Sequence, residues 1–166
     1  RHPEAHITLL TTKPYAELMA QSPYFNEIWI DSKPRWYQWD AIKRLAHMLN
    51  SHPWDWVYDL QASTRTTLYV WLFRRPRPNI SSANRWASHP RGNSHKPHHH
   101  ALDNIRKQLA ITGIANIGQP DVSWLGNHVP SADDQRIVPP VRFALLVPGG
   151  AAHRPEKRWP AEQYAS

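Results

Sequence analysis

The sequence contains no cysteine. That excludes a disulfide framework and thiolate chemistry, and it agrees with a reducing compartment. No apolar run approaches the roughly 20 residues that span a bilayer, and no signal-peptide pattern is visible. There is no G-x-G-x-x-G, no P-loop and no H-E-x-x-H, so the commonest nucleotide and zinc-protease signatures are missing. Between Leu60 and Leu102 there is no Asp or Glu. The same interval carries Arg65, Arg74, Arg75, Arg77, Arg85, Arg91 and Lys96, with His89, His95, His98, His99 and His100. A field of one sign over such a length concentrates polyanions.

What is present agrees with that bias. The net charge is +7 with eleven histidines taken as neutral, and the pI is about 10.0. This balance favours phosphorylated sugars, nucleic acid or an anionic membrane surface as partners. The 166 residues suffice for one ordinary domain with its own core. The chain opens on Arg1 and stops at Ser166 within an expected helix, so it is expected to be part of a longer polypeptide. Nine tryptophans can stack on sugars or bases, or sit at a membrane interface. Trp29, Trp56 and Trp71 lie in apolar runs and are expected in the core.

Strand and helix patterns alternate along the chain. His6 to Thr12 reads as a strand that Lys13-Pro14 breaks, Tyr15 to Gln21 as a helix, and Asn26 to Asp31 as a strand. Trp36 to Asn50 reads as a helix with Trp36, Trp39, Ile42, Leu45, Ala46 and Leu49 on one side. Asp55 to Leu60 is a strand, and Ser63 to Phe73 a helix with Leu68, Val70, Trp71 and Leu72 as its apolar face. A short strand at Asn79 to Ser82 follows, and Pro76 to Pro97 is otherwise irregular. Leu102 to Ile114 is a helix ended by Gly113. Ala115 to Pro140 is loop-rich, with a possible strand at Val122 to Leu125. The alternation implies an α/β fold with a parallel sheet wrapped by helices on both faces.

Two stretches carry candidate chemistry. Asp59-Leu60-Gln61-Ala62-Ser63-Thr64-Arg65 follows a strand and opens a helix, which is the ligand end of an open α/β sheet. Gln61, Ser63 and Arg65 offer an amide, a hydroxyl and a fixed cation, suited to a sugar bearing carboxylate or phosphate. The plain alternative makes Ser63 the helix N-cap and Arg65 a solvated side chain. The second stretch is Val141 to Ser166. The apolar strand Val141 to Val147 ends at Pro148-Gly149-Gly150. His153, Arg154, Lys157 and Arg158 follow, and Pro160 starts a helix. Strand, glycine turn, cationic loop and helix start build a phosphate site, or else form an ordinary connection. Arg74, Arg75 and Arg77, near Trp71 and Phe73, suit anionic lipid head groups; a solvated loop is the alternative. His95, His98, His99 and His100 lack the cysteines of the usual structural zinc sites, and no metal is expected.

The wording of the last stretch, PGGAAHRPEKRWPAEQYA, resembles the start of the C-terminal domain of glycosyltransferase family 9, the heptosyltransferases of lipopolysaccharide core assembly. The matching residues are Pro148, Gly149, Lys157, Arg158, Trp159, Pro160 and Tyr164. HPEAHITLLTTKPYAELMAQSPYFNEIWID is similar to the family's second strand, helix and third strand. WDWVYDLQASTRTTLY resembles its YDxxIDLQ-x-S-x-R-S stretch, and HHHALDNIRKQLAITGI its H-x-V-E-R-x-x-x-L-L-x-x-L-G helix.

The resemblance implies GT-B architecture, two Rossmann-like domains facing a cleft. Residues 1–138 would be the acceptor-side domain without its first strand, and residues 139–166 the start of the donor-binding domain. It implies an inverting transfer of heptose from ADP-heptose, as substrate and with no cofactor, to an anionic lipid-linked acceptor of the lipopolysaccharide inner core. Gly149, Gly150, Ala151, Ala152, Lys157 and Arg158 would hold the donor diphosphate, and Gln61, Ser63, Arg65, Arg91, Lys96 and His100 the acceptor. The catalytic base would follow the family's first strand, outside this sequence; Asp31 and Asp59 are not assigned to it, Asp59 being read as orienting its own loop. The expected place is the cytoplasm, peripheral on the inner face of the membrane, and this sequence alone is expected to be inactive. A basic nucleic-acid-binding module and a degenerate transferase homologue are the rival readings.

Overall fold

A computed structural model describes residues 4–61, 63–92 and 100–127, with Pro160 and Glu162. The chain divides into two compact units, Arg1–Asn127 and His128–Ser166, and the description below is of the first. The expected boundary at Pro139, the strand Val141 to Val147 and the glycine turn lie outside the described residues.

The elements follow the alternation expected: β1 (Thr8–Thr11), α1 (Lys13–Ala20), β2 (Glu27–Ile30), α2 (Trp39–Leu49), β3 (Trp56–Tyr58), α3 (Thr64–Tyr69) running into a 3₁₀ turn (Val70–Leu72), β4 (Asn79–Ser82), β5 (His89–Pro90) and α4 (Ala101–Ile111). Every strand pair is parallel. The strands form not one sheet but two, β1-β2 and β3-β4-β5. The result is a mixed α/β fold of small parallel sheets flanked by helices, compatible with a Rossmann-like arrangement.

Several expectations need correction. Lys13-Pro14 does not separate strand from helix but begins α1, because proline in a first helical turn loses no hydrogen bond that the helix needs. Helix α2 starts at Trp39, so Trp36 falls outside it and is 79% exposed. The strand β5 lies inside the stretch expected to be irregular; Pro90 is tolerated there because β5 is an edge strand. The possible strand at Val122 to Leu125 is instead a 3₁₀ turn, Ser123–Asn127. Asp121 starts it by accepting the Ser123 N–H at 2.9 Å.

The core is small. Leu45 and Leu49 of α2, Val70 and Phe73 at the end of the α3 segment, Ile80 of β4 and Ala87 are buried together, with Leu10, Met48, Trp54, Val57, Tyr69 and Leu72 packed around them. Trp29 and Trp56 are half-buried. Trp71, expected in the core, is 51% exposed.

Polar side chains join the elements where apolar burial is thin. Asn50 caps the end of α2 by donating to the carbonyls of Ala46 at 2.6 Å and Leu72 at 2.9 Å, while its oxygen accepts the Arg74 N–H at 2.8 Å. Gln108 of α4 is 2% exposed and donates to the carbonyls of Asp59 at 2.9 Å and Ser81 at 3.1 Å. Ser82 donates to the Asp59 carboxylate at 2.9 Å and the Asp59 N–H donates to the Ser81 carbonyl at 2.8 Å, so Asp59 is held from β4. Replacing Gln108 by Leu keeps the volume but removes the donor facing the Asp59 carbonyl, and it should cost about 1–3 kcal/mol. Lys107→Ala on the exposed side of α4 should stay within about 0.5 kcal/mol. Urea unfolding of the two variants checks the contrast.

Candidate functional site

In parallel sheets ligands gather at the carboxyl ends of the strands, and the described residues form a cleft there. It has a volume of about 250 Å³ and is lined by Thr11 at the end of β1, Thr12 after it, Asp31 and Lys33 after β2, Gln61 after β3, Tyr15 of α1, and Thr66 and Tyr69 of α3. A groove of about 430 Å³, sharing Leu10, Thr11, Gln61, Thr66 and Tyr69 with it, runs between β1 and β3. The groove is more apolar, with Leu9, Trp29, Trp54 and Val57 on its walls.

Asp31 organises the cleft. The backbone N–H of Asp31 donates to the Thr11 carbonyl at 2.7 Å, extending the β1-β2 ladder by one step. Its carboxylate is almost buried and accepts the Tyr69 hydroxyl on both oxygens at 3.0 Å. One oxygen also accepts the Lys33 N–H at 2.7 Å. That last bond closes a tight turn, and Lys33 adopts a φ of +50°, a conformation that costs a side-chain-bearing residue on the order of 1–2 kcal/mol. Such strain persists only where the surroundings enforce it and tends to gather at functional sites. The Tyr69 phenol is held well above its ordinary pKa, chiefly by burial and next by its bond to Asp31, with the Arg65 cation opposing. It therefore stays protonated and donates.

The sequence candidates fall in different places. Gln61 lines both the cleft and the groove. Ser63 is the N-cap of α3: its hydroxyl accepts the Thr66 N–H at 3.2 Å, and Thr66 returns the bond to the Ser63 N–H at 3.0 Å. This capping box occupies the serine, which does not line the cleft. Arg65 is exposed on the first turn of α3, close enough to Tyr69 to act on its charge state. Arg91 follows β5 at the carboxyl end of the second sheet, where its backbone N–H donates to the Ser82 carbonyl at 2.8 Å. His100 caps α4, its Nδ1 accepting the Leu102 N–H at 3.3 Å. Lys96, Gly149, Gly150, Ala151, Ala152, Lys157 and Arg158 lie outside the described residues. Among the described residues no group of three His, Asp or Glu is placed to hold a metal.

Thr11, Thr12, Tyr15, Lys33, Thr66 and Tyr69 were not singled out from the sequence. The usable signal was position: Thr11-Thr12 and Asp31 to Lys33 end strands at the same edge. The pairing of Asp31 with Tyr69, 38 residues apart, leaves no local trace. The Thr66 hydroxyl is taken by the capping box and the Tyr69 phenol by Asp31, so the cleft offers the Thr11 and Thr12 hydroxyls, the Tyr15 phenol, the Gln61 amide and the Lys33 ammonium group, a set for sugar hydroxyls and an anionic substituent. No protein-family model, curated protein or solved structure matches this chain.

Tyr69→Phe removes the donor to both Asp31 oxygens and should destabilise the protein by about 1–3 kcal/mol at neutral pH. Because the folded phenol pKa is raised, this contribution is complete below the unfolded pKa of about 10 and drains away above it. The gap between wild type and Tyr69→Phe should thus hold up to about pH 10 and narrow above it, towards the raised pKa of the folded phenol. Urea titrations across that range check it; a constant gap would show that the phenol is not the titrating partner.

Proposed function

We propose that this chain belongs to an inverting glycosyltransferase of GT-B architecture that moves heptose from ADP-heptose to an anionic, lipid-linked acceptor of the lipopolysaccharide inner core. The observation that carries the reading is the coincidence of two features. One is a cleft of hydroxyls, amide, carboxylate and ammonium at the carboxyl ends of parallel strands, with Gln61 in it and Arg65 beside it. The other is the sequence itself, where the apolar run Val141 to Val147 is followed by Pro148-Gly149-Gly150 and Lys157.

The proposed division of labour follows from the chemistry. Gln61 and the Thr11 and Thr12 hydroxyls hold acceptor sugar hydroxyls, Asp31 and Tyr69 keep the cleft's shape, and Arg65, with Arg91, Lys96 and His100, answers the acceptor's negative charge. Backbone N–H groups of Gly149 to Ala152 and the Lys157 and Arg158 cations take up the donor diphosphate. An acceptor hydroxyl attacks the anomeric carbon, the bond to the diphosphate breaks, and the charge left on ADP is stabilised by the same donors without a metal. The hydroxyl proton passes to a carboxylate general base, a role to which no residue of this sequence is assigned. A further strand in the groove between β1 and β3 would join the two sheets into one. The order would then be β2, β1, the added strand, β3, β4, β5, the doubly wound order that puts a ligand crevice at its switch point. The reaction is placed in the cytoplasm, where nucleotide-sugars are made.

The test is calorimetric titration of the polypeptide that carries this sequence with ADP and ADP-heptose. Lys157→Ala should weaken donor binding by about tenfold, one charge-assisted contact's worth. Arg65→Ala should raise KM for the anionic acceptor by about tenfold or more while leaving donor affinity alone. Absence of nucleotide binding, or a Lys157→Ala variant that binds as tightly as wild type, would overturn the reading.

A further inference from the structure

The segment that closes the cleft carries a second surface on its other side. Thr66 and Tyr69 face the cleft, while Leu68 is 58% exposed and Trp71 51%. Trp86, in the β4–β5 connection, is 56% exposed, and its ring centroid lies 6.0 Å from that of Trp71. Each indole is covered by an arginine: the Arg77 guanidinium stands 5.0 Å from the Trp71 ring and that of Arg85 stands 4.5 Å from the Trp86 ring. Arg74 and Arg75, just beyond the 3₁₀ turn, are exposed as well. Two large indoles held in water beside a leucine are an unusual use of apolar surface for a chain whose core is small.

We propose that this face, built from Leu68, Trp71 and Trp86 with Arg74, Arg75, Arg77 and Arg85, docks the protein on an anionic lipid bilayer. The occupant follows from charge and side-chain type. Between Leu60 and Leu102 the sequence holds no carboxylate, and among the described residues none of the four arginines makes an ion pair, so they suit an anionic partner. Indole is the side chain that settles at the head-group level of a bilayer, with its ring toward the acyl chains and its N–H toward water. Guanidinium groups stacked on indole stay extended, and they meet phosphate bidentately. The exposed Leu68 adds an apolar contact. A protein partner of ordinary kind would bring carboxylates to a flat patch but has no need of two indoles already capped by cations. The inference does not depend on the transferase reading. If both hold, the cleft sits one helix width, about 10 Å, above the lipid surface, within reach of a sugar that remains attached to lipid.

The experiment is sedimentation of the 166-residue protein with vesicles of phosphatidylcholine alone and of phosphatidylcholine and phosphatidylglycerol in equal parts, without nucleotide. Binding to the anionic vesicles and release by salt are expected, since screening shortens the reach of surface charge to about 3 Å near 1 M. Each arginine near the surface supports about a fivefold change in affinity. Arg74→Glu with Arg75→Glu should therefore weaken binding by at least about 25-fold. Lys43→Glu with Arg44→Glu, the same change in net charge on the exposed side of α2, should weaken it far less. Trp71→Ala with Trp86→Ala should weaken binding and reduce the quenching of tryptophan fluorescence by brominated lipid; far-UV circular dichroism checks that the variants fold. Equal binding to neutral vesicles, equal loss in the two charge-reversed pairs, or wild-type fluorescence untouched by brominated lipid would each overturn the proposal. So would retention on single-stranded RNA with no binding to vesicles.

Discussion

Burial of Val70 and Phe73 against Leu45, Leu49 and Ile80 is the contact on which the other features depend. It is where α2, the α3 segment and the second sheet meet, and among the described residues Ala87 alone adds a further buried apolar side chain. Because those two residues are fixed inside, their neighbours are fixed too. Tyr69 is directed at Asp31, and Trp71 is directed away from the core. Eight residues, Thr66 to Phe73, thus supply a wall of the cleft, the centre of the core and part of the outer face. A cavity at Phe73 would loosen all three, which is how a short segment in a thinly packed domain comes to couple them.

The order of strands and helices was legible because it depends on local periodicity, and the described elements follow it with shifts of a few residues. The failures have a common cause. An α-helix from Ser63 to Phe73 would group Leu68, Val70, Trp71 and Leu72 on one side. The chain instead tightens into a 3₁₀ turn at Val70, where residues three apart eclipse one another. Val70 and Phe73 then share the buried side, and Leu68 and Trp71 share the exposed one. Hydrophobicity alone does not distinguish the two windings. Trp36 misled for a related reason: it continues the α2 pattern backwards, but Gln38 begins the helix and Trp36 stacks edge-on against Tyr37 at 5.6 Å, outside the fold.

The candidate site was legible as a place more than as a set of groups. That the loop after β3 would lie at the ligand end of the strands follows from parallel topology, and Gln61 is in the cleft. Ser63 offered two roles from sequence, and the capping box settles its hydroxyl on Thr66. What the sequence did not disclose is the long-range part. Asp31 meets Tyr69 only because β2 and α3 converge, and the left-handed Lys33 is explained by that same carboxylate accepting its N–H. Such groups are defined by tertiary closure and have no spacing to search for.

The distribution of charge adds a constraint of its own. Several carboxylates in the described residues meet a donor: Asp31 meets Tyr69, Asp59 meets Ser82, Asp103 meets Arg106 at 3.3 Å, and Asp121 meets Tyr24. The Tyr24 bond holds the Asp121 carboxyl well below the usual carboxylate range, with help from Ser123; it lies fully at the surface, where water screens most of that gain. None of these carboxylates falls between Leu60 and Leu102, and there Arg77 and Arg85 meet indole rings instead. A chain needing only solubility could pair those cations with acids at little cost to its fold. Keeping them unpaired, against exposed indoles and on the reverse of the segment that walls the cleft, joins recognition of negative charge to the position of the site.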